Sequence, residues 1–166
     1  MDNAKTACTP AGALTRLLTF SAALAFGLYH LVAASVQSHP HYTQAKSALL
    51  RVTAGHDKGF MGLYSVAEVF AALTRLPVQP RIHAVEAARI VTENLLPHFE
   101  LVSIGKEDYL EALNTMASGG WIGAKIYDVL LLHCAARCAV ERIYTFNPGD
   151  IRQLAPIGQQ EKICAP

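Results

Sequence analysis

The chain has 166 residues, of which 52% are hydrophobic and 16% charged, and a net charge of +1. That length supports one domain with a core of its own, and the apolar content excludes a disordered chain. Near-neutral charge excludes a global field for nucleic acid or membrane, so any basic surface is local.

Between Arg16 and Lys46 there is no Lys, Arg, Asp or Glu. Within that stretch LLTFSAALAFGLYHLVAASV (17–36) has about the 20 residues that span a bilayer, and Lys5 and Arg16 ahead of it also suit an export signal. The other reading is a buried strand behind an apolar extension, toward which His30 and the polar QSHPHYTQ that follows lean. Membrane association through 17–36 thus stands as the alternative to a cytoplasmic protein with no membrane partner. The four cysteines, Cys8, Cys134, Cys138 and Cys164, show no CxxC pair, which argues against a zinc site or a disulfide framework and suits a reducing cytosol.

Further along, YTQAKSALLRV (42–52) has helical spacing and AGHDKG is a loop. FMGLYS (60–65) reads as a short buried strand, followed by a helix over 66–76 that Pro77 and Pro80 stop. A periodic amphipathic helix is expected over 82–96, a strand over 99–104 and a helix over 106–118 ended by Gly119 and Gly120. The apolar run 123–140 is a buried helix, 141–146 a strand and NPGD (147–150) a turn. Strands alternating with helices imply a parallel sheet covered on both faces, with ligands gathering beyond the carboxyl ends of the strands. No GxGxxG, GxxxxGK[ST] or GxSxG motif occurs, so nucleotide-cradle and serine-nucleophile chemistry lack a signature.

Three acids stand out, Glu68 and Asp150 near expected strand ends and Asp128 within a helix, and each also has a plain structural reading. Ser65 and Glu68 have the spacing of a capping box. Asp150 suits the cap of a short helix over IRQLA. Asp128 stands alone in the greasy run 123–140, where an unpartnered carboxylate costs several kcal/mol. It calls either for an ion pair with Lys125, three residues back, or for a divalent cation shared with other acids, since hard cations take oxygen ligands.

Read together, SVAEVFAALTRLP, EDYLEAL, IYDVLLLHCA and ERIYTFNPGDI resemble the PIN domain, in particular the VapC-type toxin ribonucleases, from Tyr29 to Leu154. SVQSHPHYTQA resembles the family's segment between first strand and first helix. The resemblance implies a three-layer α/β/α fold around a parallel sheet in a single domain: an atypical apolar extension over 1–28, the PIN domain over 29–156 and a tail over 157–166. It implies a catalytic and metal-binding set of Glu68, Asp128 and Asp150, with Asn147 as a further metal ligand. Mg²⁺ or Mn²⁺ is the implied cofactor, and RNA phosphodiesters are cut by metal-activated water. The implied partners are an RNA substrate, a cognate antitoxin and a second copy in a homodimer, with the exposed faces of helices 42–52 and 66–76 as contact surfaces.

The pattern breaks at the first acid. Where the family closes its first strand with Asp followed by Thr or Ser, this chain has Gly27 and Leu28, and no acid lies between Asp2 and Asp57. Either residues 1–28 are an aberrant, out-of-frame start, or the chain is a degenerate member that keeps the fold and binds antitoxin or RNA without cutting. Lys58, Arg75, Lys125, Arg137, Arg142 and Arg152 are candidates for an RNA path, and Tyr127 and Phe146 for base stacking, with core packing as the competing role.

Overall fold

The computed structural model describes residues 22–166. Part of the apolar stretch (17–21), with Lys5, Arg16 and Cys8, lies outside them. The remainder of that stretch forms a strand, β1 (Ala23–Phe26), and an eight-residue helix, α1 (Leu28–Ser35). No described helix is long and apolar enough to cross a membrane.

Helix α2 (Tyr42–Thr53) leads into β2 (Lys58–Gly62), and α3 (Leu63–Arg75) follows without a loop. The strand expected over 60–65 therefore ends three residues early. Gly62 is the cap of α3, which places Ser65 inside the first turn. No capping box forms there; the Ser65 hydroxyl instead donates to Glu68 Oε2 at 3.4 Å. The helix expected over 82–96 begins as α4 (Ala84–Arg89), widens to a π-helix over Ile90–Leu95 and tightens to a 3₁₀ turn over Leu96–His98. Pro97, which has no N–H to donate, ends it. Strand β3 (Phe99–Val102), α5 (Lys106–Ser118), α6 (Lys125–Arg137), β4 (Arg142–Tyr144) and α7 (Pro148–Leu154) come next. Then α8 (Ile157–Gln160) brings round β5 (Ile163–Cys164). The sheet thus takes in residues on both sides of the 29–156 span.

All neighbouring strands are parallel, in the order β3-β2-β1-β4-β5. Period-two alternation splits the strands between two cores. Ala25, Phe60 and Ile143 face α5, α6 and α7, packing against Val129, Leu132, Ala112 and Ile151. Leu24, Phe26 and Met61 face α1, α2, α3 and α4, packing against Leu31, Val52, Val69 and Ala87. This is the expected three-layer α/β/α domain. The chain runs outward from β1 to β2 and β3, then returns to β4 on the other side of β1. The crevice between the ends of β1 and β4 is therefore a topological switch point, where ligands bind in open parallel sheets.

Phe26 closes β1 fully buried and meets the Phe99 ring edge-on at 5.2 Å. Phe26→Ala is expected to cost about 3–5 kcal/mol by deleting a packed aromatic. Urea unfolding checks this, and a loss below about 1 kcal/mol would mean that β1 is not the central strand.

Candidate active site

Glu68 and Asp150 follow strands of the sheet, and Asp128 lies on a helix packed against it. Glu68 lies on α3, which leaves β2 directly. Asp150 is in the first turn of α7, just after β4, with Asn147 as the cap residue of that helix. Asp150 is thus within the helix and not its cap, contrary to the sequence reading. Asp128 is in the first turn of α6. At the end of the central strand stands Gly27. It is the cap residue of α1, and its N–H donates to the Tyr144 carbonyl at 3.1 Å. A Cβ built on Gly27 would lie 3.4 Å from Leu131 Cδ2. Leu131 lies three residues beyond Asp128 on the same helix.

The electrostatics tie the acids together pairwise. Burial pushes the Glu68 carboxyl up to about 7; the Ser65 hydroxyl opposes this and the charge of Asp128 adds to it. Burial likewise pushes Asp128 up to about 6, with Asp150 adding to the rise and Lys125 opposing it. The charge of Asp128 thus acts on Glu68, and that of Asp150 on Asp128. Lys125 Nζ makes its ion pair not with Asp128 but with Asp150 Oδ2, at 3.4 Å, and Asn147 Nδ2 approaches the same oxygen at 3.5 Å. The reach of the lysine side chain across to α7 overrides its sequence proximity to Asp128.

As to a metal, the donor set fits a hard divalent cation in kind, being oxygen only and half-buried. Glu68 and Asp128 supply the one or two carboxylates that Mg²⁺ sites take from protein. Among the described residues no three His, Cys, Asp or Glu side chains come close enough together to hold an ion. The resemblance read from the sequence expects a further carboxylate at the Gly27 position.

Between the residues' ordinary values of 4.5 and 3.8 and the raised values of about 7 and about 6, the folded protein holds protons that the unfolded chain has released. Stability from these two groups therefore falls as pH rises through that window. His30, buried and held near 4, works in the opposite direction. The informative quantity is thus the melting temperature of Asp128→Asn minus that of the parent, without divalent ions. It is expected to grow from pH 4 to pH 7; a difference that stays flat would refute the coupling.

Most of the cations proposed for an RNA path have partners within the chain. Lys58 pairs with Glu100 at 2.6 Å, Arg137 with Asp108 at 2.7 Å, and Arg152 donates to the Ile163 carbonyl at 2.6 Å. Tyr127, 42% exposed, stacks on Tyr64 with centroids 6.2 Å apart, and the Tyr64 hydroxyl donates to the Tyr127 carbonyl. Phe146 stacks between His30 and His41. Of the two aromatics, Tyr127 is the one open beside an acid. The sequence reading missed Tyr64; its i, i+4 spacing to Glu68 was the available signal.

The PIN domain family model matches residues 30–155, most of the chain. The chain belongs to the PIN domain family. Among solved structures it is similar to VapC20 of Mycobacterium tuberculosis, a toxin described as cleaving the sarcin-ricin loop. Identity there is 16%, with 78% of this chain and 93% of that chain covered and a TM-score of 0.59. It is also similar to VapBC2 from Rickettsia felis, solved with a DNA fragment from their promoter, at 14% identity, 79% and 92% coverage and a TM-score of 0.54. Likeness at these identities concerns the fold. No curated protein matches the chain.

Proposed function

We propose that this chain is a metal-dependent endoribonuclease of the VapC toxin type, weakened by the glycine at the centre of its site. The observation that supports this reading is that Glu68 and Asp128, in a PIN sheet, each have a carboxyl raised by burial and by the charge of another acid. A group of acids that repel one another is stabilised by a cation and has no evident purpose in packing. Glu68 and Asp128 would hold Mg²⁺ or Mn²⁺, with Asp150 and Asn147 at the edge of the set. The bound ion would supply a water of lowered pKa and neutralise charge on the transferring phosphate. The residues' own work is to fix that position rigidly on α3 and α6 and to leave room beside Tyr127 for an unpaired base to stack. Cys134 is a poor nucleophile, because burial pushes its thiol up to about 12.

An antitoxin and a second copy are the proposed protein partners, in a cytoplasmic setting. Leu50 on α2 and Leu63 and Phe70 on α3 are exposed, which supports those helices as contact faces. One observation favours a second reading. With Gly27 in place of an acid, the chain is a PIN module that binds antitoxin or RNA without cutting. Incubation with a structured RNA in Mn²⁺ or Mg²⁺ separates the two. Slow cleavage abolished by EDTA is expected, and cleavage undiminished by EDTA would contradict the proposal.

A further inference from the structure

Lys125 is held from two sides. Its ammonium lies 3.4 Å from Asp150 Oδ2 and 4.2 Å over the centroid of the Trp121 ring. It opens α6 three residues before Asp128, and its charge also acts on that carboxyl. The oxygen it engages is the one that Asn147 approaches, so Asp150 is already satisfied from within the chain. Asp150 is also the acid that a third-ligand role would otherwise fall to, given Gly27.

We infer that Lys125 is an internal counter-cation that competes with the divalent ion for the acidic site, holding Asp150 and offsetting the mutual repulsion of the acids when no metal is bound. This rests on the metal reading above and goes beyond it, because it assigns a residue that controls how readily the ion enters. The physics is charge balance. The charges of Asp128 and Asp150 repel, and a fixed ammonium within contact distance of Asp150 relieves that repulsion without any metal. An arriving cation meets a site whose net negative charge is one unit lower and must displace the ammonium from Asp150 to use it. The contact with Trp121 gives the lysine a second anchor, which favours a fixed position over a solvated one.

The consequence is two-sided. Without metal, Lys125→Met melts below the parent, because the acids lose their counter-charge while the side chain still covers Trp121. With metal, it binds Mn²⁺ about two- to fivefold more tightly, the scale of a partly exposed ion pair, and gains more in melting temperature per added Mn²⁺. Lys125→Arg, which keeps the charge, stays near the parent in both measurements. Lys125→Gln, which loses the charge but keeps hydrogen bonding, follows Lys125→Met and guards against a packing effect of the methionine.

The experiment is Mn²⁺ titration calorimetry, with thermal melts, on the parent, these three variants and Gly27→Asp. Tighter binding by Lys125→Met and Lys125→Gln, with Lys125→Arg unchanged, is expected. If Gly27→Asp tightens Mn²⁺ binding while Lys125→Met and Lys125→Gln match the parent, the counter-cation role is overturned and the metal site stands. If no variant, Gly27→Asp included, binds Mn²⁺, the metal reading fails and takes this inference with it.

Discussion

Gly27→Asp is expected to raise Mn²⁺-dependent RNA cleavage by about tenfold or more. Losing a mere outer-shell partner of a metal ligand costs about 10–100-fold, and a restored carboxylate at the inner set should return at least the lower end of that range. The backbone is ready for it. Gly27 has φ −75° and ψ 159°, which any residue adopts, and a Cβ there meets Leu131 Cδ2 and the Tyr144 carbonyl at ordinary contact distance, 3.4 Å each. Glycine is therefore not required by the fold at this position. The same substitution adds a negative charge beside two carboxyls already raised by burial and by neighbouring acids. Without metal it should melt below the parent, and Mn²⁺ should reverse the order. A cleavage assay and a pair of melts check both halves. If cleavage does not rise although Gly27→Asp folds and binds Mn²⁺, the non-cutting module is the better account.

Asp128→Asn is expected to abolish cleavage in the parent and in Gly27→Asp alike, by at least about a hundredfold in the active background, since an inner ligand should exceed the range set by outer ones. Asparagine keeps the size and one oxygen but loses the charge that a hard cation needs. The fold should survive, because Asp128 is half-buried with its carboxyl pushed up to about 6, a position that already disfavours charge. Loss of activity with equal or higher metal-free stability is the signature of a functional acid; a structural acid would lose both. If Asp128→Asn cuts as fast as its background, the acids assigned here do not hold the metal.

Much of the layout was legible because alternation of strand and helix has a physical period. The run behind α5 carries it, and the structure places that helix over the residues read, while α6 is two residues shorter at its start and three at its end than the 123–140 run. β1 was less legible. An uncharged apolar run has no polar face to set a period, so strand, buried helix and membrane span read alike, and only pairing with β2 and β4 decides for Ala23–Phe26. β5 has two residues, too short for any pattern, and is held by its pairing with β4. In the site, Glu68, Asp128, Asn147 and Asp150 came from motif order. Geometry corrected their local partners: Ser65 lies within a turn and not at a cap, and Lys125 reaches Asp150 and not Asp128. Partners across elements depend on packing angles that spacing along one helix does not encode. The Gly27 break was visible in sequence, but only the structure shows that a Cβ at that position would meet Leu131 of α6 and the Tyr144 carbonyl.

The most direct measurement is a crystal structure of Gly27→Asp soaked with Mn²⁺, with the ion located by its anomalous scattering. The account predicts a peak within bonding distance of Asp128, Glu68 and the introduced carboxylate, at the end of β1. Mn²⁺ bound elsewhere, with those side chains turned away from one another, would contradict it.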